Sequence, residues 1–220
     1  ISSFFIISSL VINKQVNHMM EKDLGFNGEQ VYQLDFMKDS WANDFNYRKY
    51  NLYKEKFKHF PGVIDVTCSF QTIGTGVQGS TAIKYKRDST KYVDAGVGAI
   101  DLNFIKFYKI KFAAGRDFNP KLTSDTTRGS IVNEAVVKDI GWTNQEAVGK
   151  QMSSGTDAKA KDLEIIGVVK DFNFGDVQRE VAPVMFFNYD RFWTKNALMN
   201  LQIKLAPENM DENLARIKKY

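Results

Sequence analysis

Five features of the 220-residue sequence carry residue types that do chemistry: two histidines, His18 and His59; one cysteine, Cys68; the glycine run Gly74-Thr75-Gly76-Val77-Gln78-Gly79; Arg116-Asp117; and Gly149-Lys150. Neither histidine has a Cys, Asp or Glu at metal-ligand spacing, and no G-x-S-x-G elbow is present, so zinc and triad chemistry have no signature here. The glycine run matches G-x-G-x-x-G and has Asp94 twenty residues beyond its first glycine. A dinucleotide site, however, needs a helix directly after the glycines so that its N-terminus faces the pyrophosphate. Thr81 to Lys86 instead alternates Ile83 and Tyr85 with lysines, which is a strand pattern, and a flexible loop is the better reading of the glycines. Gly149-Lys150 lacks the glycine five positions earlier and has Gln151 where a phosphate loop needs Ser or Thr. Asp117 could be a catalytic carboxylate, but the sequence places no second carboxylate beside it. With Gly115 permitting a tight turn and Arg116 able to pair with a neighbour, the expected role of the segment is to fix a loop. Cys68 sits in an alternating strand pattern and is expected to be buried; as the single cysteine it excludes an internal disulfide.

Composition narrows the field further. A 43% hydrophobic content supports a packed core in one domain or two small ones. The 30 basic and 26 acidic residues are mixed along the chain, so the net charge of +4 makes no one-sign field, and nucleic acid is not an expected partner. Lys159 with Lys161, and Lys218 with Lys219, read as solvated surface, the last pair also suiting a membrane headgroup.

The elements that must position these residues are organised around Leu163 to Phe174, LEIIGVVKDFNF. Leu163 to Val169 reads as a buried strand, with Asp171 and Asn173 capping turns and Phe172 and Phe174 anchoring the exit. Upstream, Val31 to Phe36 alternates, placing Tyr32, Leu34 and Phe36 on one face. Asp44 is a candidate cap for a helix carrying Tyr50, Tyr53, Phe57 and Phe60, which Pro61-Gly62 ends. Ile64, Val66, Cys68 and Phe70 then share the inward face of a strand, completing a βαβ unit. Asp88-Ser89 reads as a turn, and Asp101 to Ile110 has helical spacing through Leu102, Ile105 and Tyr108. Ser130 to Val132 is a short strand, and Asn133 caps a helix whose stripe is Val136, Val137 and Ile140. Gly141 stops that helix and Trp142 covers the end of the core. Ser153 to Lys161 is a polar, hairpin-like loop, and Pro183 to Phe187 is another apolar run. Met199, Leu201, Ile203 and Leu205 alternate with Asn200, Gln202 and Lys204 as a one-sided strand. Pro207 opens a helix with the stripe Met210, Leu214 and Ile217, expected to run on to the end of the sequence.

Ile1 to Ile12 is uncharged and apolar but shorter than the roughly 20 residues a membrane-spanning helix needs. The tail of a transmembrane helix and an amphipathic helix packed on the domain are equally consistent with it. Asn13 to Asp23 turns polar while staying compatible with a helical stalk, and Gly25 and Gly28 end it. From the residues alone, the expected molecule is a mixed α/β, non-enzymatic domain, tethered to a membrane at both ends.

Seven segments, in order, resemble one family: Lys22-Asp23-Leu24-Gly25-Phe26, Phe60-Pro61-Gly62-Val63, Gly115-Arg116-Asp117-Phe118, Val132-Asn133-Glu134-Ala135, Gly141-Trp142, Gly149-Lys150 and Gly167-Val168-Val169-Lys170-Asp171-Phe172. The family is the MacB-like periplasmic core domain of ABC transporter permeases of the FtsX-like superfamily, in the wording common in Bacteroidetes. The resemblance implies an α+β, two-lobed periplasmic domain, with a porter-like βαβ lobe built from both chain ends and a strand-rich, sabre-like lobe inserted between them. On that pattern residues 1–22 are the end of a first transmembrane helix and its stalk, and 23–75 the first part of the porter-like lobe. Residues 76–190 are the inserted lobe, and 191–220 the second part of the porter-like lobe, leading to the next membrane helix.

The resemblance also implies a domain that does no chemistry and holds no cofactor or metal. It would face the periplasm from the inner membrane, in a permease homodimer or with a paralogous partner. A cytoplasmic ATP-binding subunit or domain would drive export or extraction of a peptide, lipoprotein or drug, and a periplasmic adaptor is a further partner. Gly115, Arg116, Asp117, Phe118, Asn133, Glu134, Gly141, Trp142, Gly167, Asp171 and Phe172 would be structural positions. The competing expectation is a free-standing periplasmic ligand-binding or sensory module using an inter-lobe cleft. An enzyme, which would need converging carboxylates or a partnered histidine, comes third.

Overall fold

The computed structural model describes residues 14, 24–35, 47–76, 79–85, 92–154, 161–175, 180–188 and 200–219. Most of Ile1 to Asp23, Phe36, Asp44, the Asp88-Ser89 turn and the 155–160 loop tip lie outside them. The fold is α+β. In chain order the elements are β1 (Val31–Asp35), α1 (Tyr47–Lys58), β2 (Val63–Ser69), β3 (Ser80–Lys84), β4 (Val93–Ile100), α2 (Phe104–Phe107), β5 (Phe112–Gly115) and α3 (Thr123–Thr127). There follow β6 (Gly129–Asn133), α4 (Glu134–Ile140), α5 (Asn144–Ala147), β7 (Gln151–Ser154), β8 (Lys161–Val169), β9 (Val184–Asn188), β10 (Asn200–Leu205) and α6 (Met210–Lys218).

β1, α1 and β2 form a split βαβ unit: the two strands do not touch, because β10 from the far end of the sequence lies between them, antiparallel to both. The side facing α1 and α6 is apolar, with Phe57, Val66, Cys68, Leu201, Ile203, Leu205 and Ile217 packed together and Tyr32 and Leu34 against them. The inward face read from Ile64, Val66, Cys68 and Phe70 keeps only Val66 and Cys68: Phe70 lies just past the end of β2 and packs on the barrel interior instead. Leu205 pairs with Val63 rather than Ile64, so a bulge turns Ile64 outward, 58% exposed, and admits Val63 in its place.

The other side of β10 departs from the one-sided expectation. Asn200 and Gln202 are buried, not solvated, because they meet polar partners: Asn200 receives a bond from Gln33 and donates to the Phe70 carbonyl, and Gln202 donates to Ser69. Strand alternation reports polarity, and here the polar face is covered. The helix read from Pro207 starts at Met210, leaving Met210 39% exposed while Asn213 takes the buried position with Ile217. The helical spacing of Asp101 to Ile110 likewise yields only the single turn of α2.

The remaining strands close on themselves. β3 pairs β4, β4 pairs β9, β9 pairs β6, β6 pairs β8, β8 pairs β7, and β7 returns to β3. All six strands of this ring contribute to one apolar interior, through Ile83, Ala95, Met185, Val132, Ile165 and Met152, and α4 inserts Val136 and Val137 into it. The outward sides of β4, β6, β8 and β9 carry Ile100, Ile131, Val169 and Phe186, covered by α2 and by Phe118, Phe172 and Phe174. β5 extends the sheet beside the C-terminal half of β8. The residues read as a polar loop before β8 therefore begin in a strand, since Ser153 and Ser154 belong to β7.

Phe186 is the centre of the outer layer. It is fully buried, stacked with Phe172 at 6.0 Å and in contact with the rings of Phe104 and Phe174. Its register partner on β4 is Gly98, and a Cβ there would lie 2.6 Å from the ring. Replacing Phe186 by Ala is expected to cost about 3–5 kcal/mol in urea unfolding, and Gly98→Ala about 1–3 kcal/mol by crowding the same ring.

Candidate functional site

Gly115 and Gly167 are cross-strand partners, and each is confined by the other strand: a Cβ on Gly115 would meet the Ile166 carbonyl, and one on Gly167 the Arg116 carbonyl. Gly115 also has φ of 72°, the left-handed region that glycine enters without strain. The chain turns there and delivers Arg116 to Asp125 in a two-pronged ion pair, with Nη1 at 2.5 Å and Nη2 at 3.0 Å. Asp125 is almost wholly buried and also accepts from the Asn119 amide at 2.8 Å. Burial pushes its carboxyl up, but the bonds from Arg116 and Asn119 outweigh that and hold it below the usual carboxylate range. Asp117 accepts from the amide of Phe118 at 2.8 Å, and Phe118 is buried in the outer layer. Burial, partly offset by that amide, raises the Asp117 carboxyl above its ordinary value.

A second cluster surrounds the N-terminus of α4. Asn133 accepts from the amides of Val136 at 3.3 Å and Val184 at 2.9 Å and donates to the Ala182 carbonyl at 3.0 Å, so one side chain caps α4 and ties β6 to the start of β9. Glu134 and Asp171 are reciprocal. Glu134 accepts from the Asp171 amide at 3.2 Å, and Asp171 accepts from the Ala135 amide at 3.0 Å. Glu134 also accepts from Asn144 at 2.8 Å. Burial raises the Asp171 carboxyl; the Ala135 amide opposes the rise and Glu134 adds to it. Phe172 follows into the outer layer, 2% exposed and edge-on to Phe26.

Gly141, with φ of 87°, ends α4 as expected, and Trp142 packs half-buried on the barrel interior, edge-on to Tyr85 at 4.7 Å. The residues singled out in the sequence thus gather into two clamps, Arg116 to Phe118 and Asn133 to Phe172, with Gly141-Trp142 at a separate position. Phe172 and Asn133 also line a cleft of about 580 Å³ with Asn173, Phe174 and the glycine loop at Gly74 and Gly76. The glycine run therefore borders a cavity but leads into β3, not a helix. Among the described residues no three His, Cys, Asp or Glu side chains are grouped to hold a metal ion.

Two carboxylates escaped the sequence reading. Asp125 stands in the polar stretch Thr123–Thr127, and nothing in its neighbours in the sequence marks it as the partner of Arg116. Asp101 directly follows β4 and accepts from Thr67 at 2.5 Å, from the Cys68 amide at 3.2 Å and from the Asn103 amide at 3.0 Å, while Lys54 of α1 reaches it at 2.5 Å. The pattern Asp101-Leu102-Asn103 is a local Asx turn, the one signal that could have marked it.

Substitution of the two clamp carboxylates' surroundings gives opposite pH signatures. Arg116→Gln strips a charged partner from buried Asp125 and is expected to cost about 1.5–3 kcal/mol at neutral pH. Because Asp125 titrates lower when folded, that loss should fade as pH falls through its folded pKa. Asp171→Asn keeps an acceptor for Ala135 while removing a charge that burial disfavours. It should leave stability unchanged or higher at pH 7, with the difference vanishing below the ordinary carboxylate pKa. Urea unfolding of both variants across pH 3–8 checks both signs.

The sequence matches the MacB-like periplasmic core domain family over residues 1–220. No curated protein matches it. Among solved structures, the periplasmic region of MacB from Actinobacillus actinomycetemcomitans is similar at 14% identity, covering 92% of this chain and 88% of that one with a TM-score of 0.58. The extracellular domain of the noncanonic ABC-type transporter YknZ from Gram-positive bacteria is similar at 16% identity, covering 83% and 86% with a TM-score of 0.55. At these identities the structures attest a shared fold, while the match along the full sequence carries the assignment: the chain belongs to the MacB-like periplasmic core domain family.

Proposed function

We propose that the chain is the extracytoplasmic domain of an ABC transporter permease in the bacterial inner membrane, facing the periplasm, and that it is non-catalytic. It passes ATP-driven motion from a cytoplasmic ATP-binding subunit or domain to the periplasmic side, for export or extraction of a peptide, lipoprotein or drug. The permease works as a homodimer or with a paralogous partner, held in the membrane by flanking helices, and a periplasmic adaptor is its further partner. The split β1–β10–β2 unit corresponds to the porter-like lobe and the barrel to the inserted lobe, with boundaries near residues 23, 75 and 190. Gly115 to Phe118, Asn133, Glu134, Gly141, Trp142, Gly167, Asp171 and Phe172 serve as structural positions.

The observation that carries this reading is the joint between those two units. The strand ladder between β2 and β4 consists of the single register pair Ser69↔Ile100, flanked by bonds from Phe70 to Ala99 and from Asp101 to Cys68, and locked by Asp101. This short backbone ladder, together with the packing of Phe26, Val31 and Ile73 on the outer layer of the barrel, couples two packed bodies, an arrangement that suits the transmission of rigid-body motion. The Asp117 and Asp171 carboxylates accept local backbone bonds, which supports positioning over catalysis.

A second reading, a free-standing periplasmic ligand-binding or sensory module, is favoured by the cleft beside Asn133 and Phe172. Spin labels at exposed position 64 in both permeases of the reconstituted transporter separate the two. Transmission predicts a distance distribution that changes between the nucleotide-free and ATP-trapped states. An identical distribution in both, with ATP hydrolysis intact, overturns it.

A further inference from the structure

Where the chain leaves α2 and enters β5, and again where it leaves β8, it presents lysines to one cavity. Lys109, Lys111 and Lys170 line a cleft of about 360 Å³ together with Gly25, Phe26, Asn27 and Asp171. Their backbone is fixed: the Lys170 amide donates to the Lys111 carbonyl at 2.8 Å, and the Asn27 amide to the Tyr108 carbonyl at 2.8 Å. Lys109, the residue after the C-cap of α2, lies in the left-handed region, φ 53°, which is uncommon for a residue with a side chain.

Among the described residues no carboxylate lies within ion-pair distance of these three ammonium groups. Asp171, the one carboxylate among the described residues that line the cleft, spends its Oδ1 on the Ala135 amide. A fourth lysine stands behind the wall: Lys204 donates to the Asn27 side chain at 2.7 Å. Burial, then the charge of Lys109, holds Lys204 below the usual lysine range, against the opposing pull of Glu29 and Asp65. Like charges gathered on neighbouring backbone positions repel, a cost that a bound anion removes.

We infer that this cleft is a binding site for a phosphate monoester group, which carries about −1.5 to −2 charge at neutral pH and takes compact ammonium donors as partners. Three ammonium groups exceed what one carboxylate neutralises, and the cavity has room for a phosphoryl group with a small substituent. The group's source is a lipid headgroup or a soluble phosphate compound. The inference stands apart from the transport reading, since it uses only the lysines and the cleft.

The test uses the 220-residue chain. Inorganic phosphate is titrated against the backbone amide spectrum, and flotation is measured with phosphatidylcholine vesicles with and without phosphatidic acid. The probes are repeated on Lys109→Gln/Lys111→Gln/Lys170→Gln and on a charge-matched control, Lys56→Gln/Lys121→Gln/Arg128→Gln, with thermal unfolding confirming that both fold. Binding should weaken at least about tenfold in the cleft variant and hold in the control. Shifts at residues 25–27, 109–111 and 170–171 with inorganic phosphate alone mark a soluble source. Flotation only with phosphatidic acid marks a lipid source. Equal losses in the two variants, or no binding of either probe to the unsubstituted chain, overturn the inference.

Discussion

Asp101 is 2% exposed, and a carboxyl group at that depth is costly unless its oxygens are engaged. Thr67, the amides of Cys68 and Asn103, and Lys54 engage it, so that α1, β2 and the end of β4 converge on one side chain. The convergence matters because the backbone ladder is thinnest there, where β2 and β4 share one register pair. Removing a partner from such a buried charge typically costs about 3–5 kcal/mol. At this joint the loss would fall on the relative placement of the split unit and the barrel more than on either core, since each has its own apolar cluster.

Small residues permit the tightest crossings in the sheet. The Gly115 and Gly167 pair lets β5 approach β8, and Gly98 leaves space for the Phe186 ring. With six strands paired in a ring, the edges that an open sheet would expose are satisfied internally. α4 then fills the interior with Val136 and Val137, so the helix and the ring form one core, and the Asn133, Glu134 and Asp171 clamp fixes the position at which that helix enters.

The sequence made the local chemistry readable wherever it depends on neighbours in the chain. The Asn133 cap, the Gly141 stop, the core strand at Leu163 to Val169 and the burial of Phe172 and Phe174 all follow from spacing and residue type. Illegible were the features set by distant partners. Ile64 faces outward because a bulge against Leu205 resets β2, and Gln202 is buried because Ser69 meets it from another strand. Ring closure depends on pairings such as β4 with β9, which no local pattern announces. The lysine cleft is of the same kind, since Lys111 and Lys170 become neighbours only through β5 and β8. Of the candidate site, the residues were visible and their grouping was not.

The register of β1 against β10 has a mechanical corollary. Val31, the first residue of β1, lies opposite Lys204 near the end of β10, and the Leu205 amide bonds to the Gln30 carbonyl at 2.9 Å. The incoming and outgoing segments therefore meet at one end of an antiparallel pair. Tension pulling those segments apart would load the hydrogen bonds in series, peeling the strands like a zipper, whereas a pull on both in the same direction would load neither bond and would lift the whole body. Such an attachment tolerates push and tow but yields to splaying.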